Sequence, residues 1–497
     1  MTEEAVLGID IGTSSTKAAL ADAGGSIIAT AQRKHATSMP RPGWAEHDAE
    51  RTWWAELVAV CNELAPLAGS RLRGVCVSGI GPCIVPCDDR VRPLRPAILY
   101  GIDTRATAEI DELEHRFGSE AILRRGGSAL SSQAIGPKLL WLRHHEPEVW
   151  DCTKGWYMAS SFAVARLTGE YILDHHSASQ CDPLYDLAAG DWAYDWTSEI
   201  GNGVPPPPLA WPSQQVGVVS TAAAEETGLP PGTPVVAGTI DAWAEAFSVG
   251  VRADGDLMVM YGSTIFIVRV GETTTASPLL WTTQGVEMGT RTLAAGMSTA
   301  GSLTEWVRSL VGGPAWDEVL AEAALTPPGA NGLLMLPYFA GERTPIYDPL
   351  ARGVLAGLTL RHGRGDLLRA VYEGTAFGVR QILALFSDAS GPPARVVAVG
   401  GGASSALWLQ IVSDVAAISQ EVPAQTIGAC YGGCLLAAIG VGLVSESTDW
   451  SLTRLTVEPR PEHRELYDSL YALYARLYDE TAETVHHLTR LDSGGTK

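Results

Sequence analysis

Short apolar runs rich in β-branched residues alternate along the chain with longer segments in which apolar residues recur at helical spacing. The runs have the length of strands, and several are continuous enough to be buried on both faces. The predicted strands are Ala5 to Ile9, Gly74 to Ser78, Thr233 to Ala237, Asp256 to Tyr261 and Arg395 to Val399. The predicted helices are Glu50 to Leu67, Asp103 to Phe117, Asp241 to Val249, Asp366 to Phe386 and Leu407 to Ser419. This alternation predicts an α/β fold.

The length of 497 residues accommodates two large domains or three of ordinary size. The run Pro205 to Pro208 predicts a surface loop, because proline cannot continue a helix or a central strand. A better boundary lies between Ser248 and Asp256, where a predicted helix ends at Gly250 and a Gly-Asp turn opens a new strand. We therefore expect two domains, residues 1–247 and 248–497.

Both predicted domains contain a strand, a tight turn with glycine and hydroxyl residues, and a second strand. The first copy is GIDIGTSSTKAAL, starting at Gly8, and the second is MVMYGSTIFIV, starting at Met258. Two copies of the same strand–turn–strand unit suggest a duplicated architecture.

The composition excludes several classes of function and partner. A formal net charge of −21 disfavours binding to phosphate backbones and to anionic membrane surfaces, so neither a nucleic acid nor a membrane is an expected partner. With 46% apolar and 18% charged residues the chain can bury large cores. The eight cysteines form no C-x-x-C pair, the start resembles no signal peptide, and the apolar run Cys434 to Val444 is too short to span a bilayer. We expect a cytoplasmic protein.

The first candidate for ligand binding is the turn in the segment from Gly8 to Lys17. Gly12 permits a tight turn, and backbone amides with the hydroxyls of Thr13, Ser14 and Ser15 can surround a phosphate. The ammonium of Lys17 would neutralise the negative charge of the terminal phosphate. The spacing matches neither a P-loop nor a dinucleotide-binding fingerprint. The alternative is an ordinary hairpin, in which Asp10 satisfies local backbone donors.

Two further glycine turns follow predicted strands. Adjacent glycines let a ligand approach the backbone, and helix amides just beyond favour an anion or a purine edge. Each turn taken alone is a weak signal that a plain loop explains better. The chain is acidic, and its few cationic residues fall at such turns. The three turns together therefore indicate a nucleotide-binding site. The residues are Gly262, Ser263 and Thr264 in one turn, and Gly400, Gly401, Gly402 and Ala403 in the other.

Asp241 is the main candidate for chemistry. It follows a buried strand and stands where a helix begins, so it is either an N-cap or a carboxylate at a strand end that accepts a proton from a substrate hydroxyl. Glu245, four residues on, shares its helix face and is interpreted as a solvated or structural acid.

The motifs together resemble the FGGY family of carbohydrate kinases, in the order found in that family and over nearly the whole chain. They are GIDIGTSSTK, GWAEHDAERTWW (43–54), RPLRPAILYGIDTRA (92–106), RLTGE (166–170), GTIDAWAEAFSVGV (238–251), GERTPIYDPLARGVLAGLTLRH (341–362) and GGGASSALWLQIVSD (400–414).

The resemblance implies two actin-like, ribonuclease-H-like ATPase domains around a central cleft. ATP would be held mainly by the C-terminal domain and the sugar mainly by the N-terminal one. Asp241 falls on the catalytic base, which contacts the substrate, and Asp10 on the acid that acts on Mg²⁺ through water. The remaining matches are Thr13 and Lys17 on phosphate contacts, Gly262, Ser263 and Thr264 on the second phosphate loop, and Gly402 and Ala403 on the adenosine site.

The sequence departs from the family pattern in the sugar region. Pentulose kinases of the family typically read Gly-Gln-Met-His-Gly where this chain has Gly79-Ile-Gly-Pro-Cys83, which puts Gly81 and Pro82 at the sugar and puts D-xylulose in doubt. Tyr100, Asp103 and Arg105 stand in place of the usual Trp-Asn-Asp-x-Arg, with one residue more. They are either sugar contacts or an aromatic strand end with a helix-capping ion pair.

We therefore expect an ATP-dependent kinase acting on a hydroxyl of a small sugar or polyol, with Asp10 and Asp241 on opposite walls of one interdomain cleft. A polyol kinase is the alternative within the family, and a homodimer is a possible assembly. One rival from another class is an actin-like or chaperone ATPase, but after Pro459 only an amphipathic helix from Glu462 to Leu488 is predicted to remain. The other rival is a module that binds nucleotide and sugar without chemistry.

Overall fold

The computed structural model describes residues 4–272 and 276–494. Met1 to Glu3, part of the start on which the expectation of no signal peptide rests, lie outside the described residues. The strands are β1 (Ala5–Ile11), β2 (Ser15–Asp22), β3 (Ile27–Lys34), β4 (Glu46–His47), β5 (Leu72–Gly79), β6 (Val85–Cys87), β7 (Ala97–Ile98), β8 (Gly155–Tyr157), β9 (Leu173–Asp174), β10 (Tyr185–Asp186), β11 (Asp191–Trp192), β12 (Leu209–Ala210), β13 (Gln215–Val218), β14 (Pro234–Val236), β15 (Asp256–Tyr261), β16 (Ile265–Gly271), β17 (Trp281–Gln284), β18 (Arg291–Met297), β19 (Leu334–Leu336), β20 (Val354–Ala356), β21 (Arg395–Val399), β22 (Gln420–Pro423) and β23 (Thr453–Val457).

The α-helices are interspersed among these strands, and a turn of π-helix, Ala49–Trp54, precedes the first. They are α1 (Ala55–Ala68), α2 (Thr107–Phe117), α3 (Ser119–Gly126), α4 (Ile135–His145), α5 (Pro147–Cys152), α6 (Ala159–Thr168), α7 (His175–Ala178), α8 (Tyr194–Gly201), α9 (Thr221–Thr227), α10 (Asp241–Ser248), α11 (Gly301–Leu310), α12 (Trp316–Leu325), α13 (Arg364–Ser390), α14 (Ala406–Ala416), α15 (Ala429–Gly440) and α16 (Arg464–Gly494). Across the described ranges, no helix is both long and apolar enough to cross a membrane.

The predicted strands and helices are confirmed, with several shifted ends, and two of these shifts have a clear local cause. The helix expected from Asp103 begins only at Thr107, because Asp103 closes a turn to Tyr100 and its carboxylate accepts from the backbone of Ala45. The helix expected to reach Ser419 ends earlier, because Ala417 has a φ of 54°, which breaks the helical path.

The chain forms two compact units. The first contains Met1–Arg252, Ala276–Thr292 and Ile427–Ser451, and the second contains Ala253–Thr275, Leu293–Thr426 and Leu452–Lys497. The division at 247/248 expected from the sequence therefore differs from these units, chiefly because the first unit takes in α15.

Close backbone packing explains why α15 belongs to the first unit. A Cβ on Gly8 of β1 would lie 1.9 Å from the carbonyl oxygen of Cys430, and a Cβ on Gly432 would lie 1.9 Å from the carbonyl oxygen of Ala244. Glycine at both positions lets α15 pack directly on β1 and on α10. The thiol of Cys434 then donates to the carbonyl of Ala19 in β2 over 3.1 Å.

Each unit is built on one main sheet, and the two sheets have the same order. In the first unit the order is β3-β2-β1-β5-β14-β13, and in the second it includes β18-β16-β15-β21-β22-β23. The central strands β1, β5 and β14 run parallel, as do β15, β21 and β22, and in both sheets the hairpin partner on one side and the last strand on the other run antiparallel. This correspondence confirms the duplicated architecture that the two hairpin sequences suggested.

Candidate active site

The carboxyl edge of the first sheet brings three predicted site segments together. β1 and β5 end side by side, with the amide of Ile80 donating to the carbonyl of Ile11 over 2.8 Å. The chain beyond β14 continues this pairing, since Gly79 forms a parallel bridge with Ile240. Asp10, the Gly81-Pro82 segment and Asp241 therefore share one edge, which is where α/β sheets bind their ligands. The expectation that Asp10 and Asp241 lie on opposite walls is wrong, because both belong to this one sheet edge.

Asp10 is a buried carboxyl at the end of β1. The hydroxyl of Ser78 donates to its Oδ1 over 3.1 Å, and Lys17 lies directly opposite in the β1–β2 register. Burial raises the pKa of Asp10 to about 6, although the Ser78 hydrogen bond and the Lys17 charge both oppose the rise. Lys17 is exposed, so its ammonium remains available to a ligand at the edge.

The first hairpin turn is closed by a backbone hydrogen bond. The amide of Gly12 donates to the carbonyl of Ser15 over 3.0 Å, and a Cβ at Gly12 would lie only 3.0 Å from that oxygen. Close approach, and not an unusual φ, is therefore what favours glycine here. Ser14 is exposed at the tip, and the hydroxyls of Thr13 and Tyr100 are hydrogen-bonded at 3.0 Å.

Asp241 is the first residue of α10, and the N-cap is Ile240. The N-cap interpretation of Asp241 is therefore wrong. Its Oδ1 accepts from the amide of Ala242 over 2.7 Å. Burial, the nearby Asp10 charge and the Glu245 charge raise the pKa of Asp241 well above its usual range, against that hydrogen bond.

Glu245 belongs to the same cluster, which the sequence analysis missed. Burial and the charge of Asp10 raise its pKa to about 7, while Lys17 opposes the rise. Of the two interpretations of Glu245, a solvated acid or a structural one, the burial behind this raised pKa disfavours the solvated acid and leaves the structural one open. The available signal was its position four residues after Asp241, on the same face of the helix.

Asp103 and Arg105 pair with each other. The guanidinium donates to both carboxylate oxygens, at 2.9 Å and 2.7 Å, and both side chains are fully buried. Arg105 also lies 2.9 Å from Glu46 and 3.9 Å above the ring of Trp44. The structure favours the ion pair over the sugar contact, although the pair does not cap α2, whose N-cap is Ala106.

The Gly81-Pro82 segment packs against the residue that precedes Asp241. A Cβ on Gly81 would lie 2.6 Å from Cγ1 of Ile240, so only glycine fits without displacement. Pro82 is buried and lines a pocket in the first unit.

The second unit carries its own pair of glycine turns on adjacent strand ends. The amide of Gly262 donates to the carbonyl of Thr264 over 3.0 Å, and Ser263 and Thr264 are exposed. The carbonyl of Ser263 accepts from the amides of Ala300 and Ser302, at 2.9 Å and 3.1 Å, which fixes the turn against the start of α11.

The turn after β21 has one open residue. Gly400 has a φ of 85°, and a Cβ there would lie 2.7 Å from the carbonyl of Tyr261. A Cβ on Gly402 would lie 2.6 Å from the ring of Trp408, and Ala403 is buried. Gly401 is exposed and has nothing within 4 Å of its Cβ position, so it is the point where a ligand reaches the backbone most freely.

Comparison with known proteins identifies the family to which this chain belongs. The family model described as the FGGY family of carbohydrate kinases, N-terminal domain, matches residues 5–248, and the corresponding C-terminal model matches residues 257–441. The chain is 29% identical to a xylulose kinase of Staphylococcus epidermidis, covering 97% of this chain and 98% of that protein. It is also 29% identical to a glycerol kinase of Alkalilimnicola ehrlichii, covering 88% and 91%.

Among solved structures, the xylulose kinase from Rhodospirillum rubrum is 33% identical, with a TM-score of 0.90 over 97% of this chain and all of that one. Duplicated sheets with glycine turns and a carboxyl cluster thus define a two-domain sugar kinase of the actin-like ATPase fold. The chain belongs to the FGGY family of carbohydrate kinases, as the motifs indicated. Its reaction is the transfer of a phosphoryl group from ATP to a hydroxyl of a carbohydrate.

Proposed function

We propose that Asp241 is the general base that accepts the proton of the attacking hydroxyl of a small ketose or polyol. The observation that carries the proposal is the position of its carboxyl, at the sheet edge beside Asp10 and with a raised pKa. A carboxylate whose pKa is raised is a stronger proton acceptor than an ordinary aspartate. The hydroxyl would be held against Asp241 while the phosphoryl group is presented from the opposite side.

The donor chemistry around Asp10 fits Mg²⁺ bound through water. Mg²⁺ keeps several waters and needs only one or two carboxylates together with substrate phosphates. Within the described ranges, no group of three or more His, Cys, Asp or Glu side chains is arranged to hold a metal directly. In the proposal Asp10 holds the hydrated ion, which would supply charge neutralisation of the phosphates. Lys17 offers a second positive charge at the same edge.

The nucleotide contacts of the proposal are divided between the two units. In the first, Gly12, Thr13 and Ser14 offer backbone amides and hydroxyls to phosphate. The second phosphate loop and the adenosine site, both in the second unit, consist of Gly262, Ser263, Thr264, Gly401, Gly402 and Ala403. Within the adenosine turn Gly401 would make the closest approach, since the other two residues are packed internally.

The identity of the sugar depends on the Gly81-Pro82 segment. The named relatives include xylulose kinases, so D-xylulose is the first compound to test. However, the resemblance places Met and His where this chain has Gly81 and Pro82, so the imidazole donor that the family pattern has at this position is lost. We therefore expect D-xylulose to be a poor substrate, and a polyol remains the alternative.

The experiment is ADP release with ATP and Mg²⁺, measured without sugar and with a panel of ketopentoses, ketohexoses and polyols. Release that depends on one class of sugar supports the proposal. Equal release with and without sugar indicates an actin-like ATPase, and sugar binding without release indicates a binding module. D-xylulose turnover comparable with the best compound would refute the specificity argument alone.

A cytoplasmic location and a homodimer complete the proposal. Both rest on the sequence, and analytical ultracentrifugation of the purified chain tests the dimer directly.

A further inference from the structure

The first hairpin turn (12–15) is held from one side by the segment that follows β3. The backbone amide of His35 donates to the carbonyl of Ser14 over 3.0 Å. Nε2 of the His35 ring lies 3.1 Å from the carbonyl oxygen of Gly12, and the hydroxyl of Thr37 donates to the carbonyl of Thr13 over 3.3 Å. Three consecutive carbonyls of the turn therefore point at this one segment.

This arrangement leaves the amides of the turn for another partner. In a trans peptide the N–H points away from the C=O of the same peptide plane. The carbonyls of Gly12 and Thr13 face residues 35–37, so the amides of Thr13 and Ser14 point to the other side. Within the described ranges, neither of these two amides donates to a backbone carbonyl. Successive free amides in a turn form a site for an anion.

The ring of His35 is itself fixed by a carboxylate on α1. Its Nδ1 lies 2.8 Å from Oε2 of Glu56, and the two side chains are only 7% and 15% exposed. The carbonyl of Gly12 can only accept, so Nε2 carries a proton and donates to it. An ionised carboxylate also only accepts, so a second proton lies either on Nδ1 or on Glu56. In both cases the ring cannot turn without breaking a hydrogen bond at each end.

Thr37 is fixed in a similar way by a neutral histidine. The indole N–H of Trp53 donates to Nδ1 of His47 over 3.1 Å, and Nε2 of His47 lies 3.2 Å from the Thr37 hydroxyl. Burial lowers the pKa of His47 to about 4, with the charge of His35 as a further cause. Since Nδ1 of this neutral ring accepts, its proton lies on Nε2. The hydrogen bonds therefore run in one direction, from Trp53 to the carbonyl of Thr13.

We propose that His35, supported by Glu56, is a positioning residue for ATP, because it holds the Gly12 carbonyl so that the turn presents its amides to a phosphate. The inference rests on the proposed function, in which this turn binds phosphate. A turn that is ordered before the ligand arrives loses less conformational freedom on binding. The motif that contains Gly12 gives no sign of this role, since His35 lies 23 residues further along the chain.

The test compares wild type with His35→Leu, which has no donor, and His35→Gln, which can place an N–H near the position of Nε2. For His35→Leu we expect KM for ATP, and the calorimetric Kd of ATP without sugar, to rise about fivefold to a hundredfold. The released turn must be ordered again when ATP binds, at a cost comparable with that of a lost buried hydrogen bond. The sugar KM and kcat at saturating ATP should stay within about threefold, and His35→Gln should recover most of the affinity.

Two carboxylates on α1 provide a matched control. Glu63 lies two turns beyond Glu56 and pairs over 2.8 Å with Arg33 of β3, a pair that does not include the turn. Glu56→Ala should raise KM for ATP about twofold to tenfold, because the His35 ring is released, whereas Glu63→Ala should change it less than about twofold. If His35→Leu does not fold, these two variants carry the test, and equal KM values for them would overturn the inference.

The steady-state constants separate positioning from a purely structural role. A structural role alone would lower the amount of active enzyme, and so Vmax, and would leave KM for ATP unchanged. That result, or equal KM values for His35→Leu and His35→Gln, would overturn the inference while sugar-dependent turnover by wild type remains. Absence of sugar-dependent turnover in wild type would instead overturn the proposed function.

Discussion

The two main sheets carry the same hairpin at the same position, yet the residue pair opposed beside the turn is charged in one hairpin and apolar in the other. In the first hairpin Asp10 stands opposite Lys17, whereas in the second Met260 stands opposite Phe266. Directly opposed side chains on one face of an antiparallel pair are neighbours. The duplicated hairpin thus sets where a ligand contacts the backbone in each sheet. The pair of residues opposed beside the turn then determines whether ionisable side chains are also present there.

The turns differ as well. Four residues separate the paired Ile11 and Thr16, but three separate Tyr261 and Ile265. The second turn is held against the start of α11 through the carbonyl of Ser263, and it exposes hydroxyls only. The proposed proton and metal chemistry therefore belongs to the first hairpin, whereas the second turn offers hydroxyls to a ligand.

The largest expected effect is on Asp241, at the charged edge. Asp241→Asn should reduce sugar-dependent turnover by about 10²- to 10⁴-fold, because the amide cannot accept the proton. ATP binding and Tm should change little, since an amide fits the same space. ADP release, nucleotide titration and melting on one preparation check this. A mutant that keeps more than about a tenth of the rate would place the base elsewhere.

A matched pair of variants compares the hairpins directly. Lys17→Met should raise KM for ATP about tenfold to a hundredfold, as expected for a lost charge-assisted contact, and Ser263→Ala only about two- to tenfold. Both side chains are exposed, so neither variant should lower Tm appreciably. Equal effects would show that the charge difference between the two edges has no role in nucleotide binding.

The charged edge should also make stability depend on pH. Glu245 has a folded pKa of about 7 against 4.5 for the free side chain, with Asp10, Asp241 and Lys17 as the charges around it. Its folded state holds the proton longer, so stability falls as the pH rises from about 4.5 to 7. Glu245→Gln should remove part of that fall, on the order of 1–3 kcal/mol at pH 7.5. Chemical denaturation at pH 5 and 7.5 measures the free energy of unfolding. If the variant has the same pH dependence as wild type, Glu245 is not part of the carboxyl cluster.

The smallest effect separates two neighbouring glycines of the second unit. Gly400→Ala should cost about 1–2 kcal/mol, because its φ of 85° disfavours a side chain and the Cβ would meet Tyr261. Gly401→Ala has open space and should keep its stability while raising KM for ATP. A destabilised Gly401→Ala protein with normal ATP affinity would remove this residue from the adenosine site.

The two hairpins could be predicted from the sequence because each combines local signals, namely apolar runs, a glycine and short hydroxyl residues. Asp241 could be placed at a strand end for the same reason. Glu245 could not be assigned, since its pKa depends on Asp10, which is distant in the chain. The pairing of Asp103 with Arg105 required knowledge that both side chains are buried.

The recruitment of α15 has a consequence for how the protein is made. The first unit begins at the N-terminus, but the helix that packs on Gly8 of β1 is synthesised more than 400 residues later. On the ribosome, residues 4–252 therefore emerge with β1 and α10 lacking that cover, and contacts so distant in sequence slow folding. The chain from Ala253 to Thr426 must be synthesised before the first unit can close, and the second unit in turn needs the segment that begins at Leu452, so neither unit is complete until nearly the whole chain has emerged.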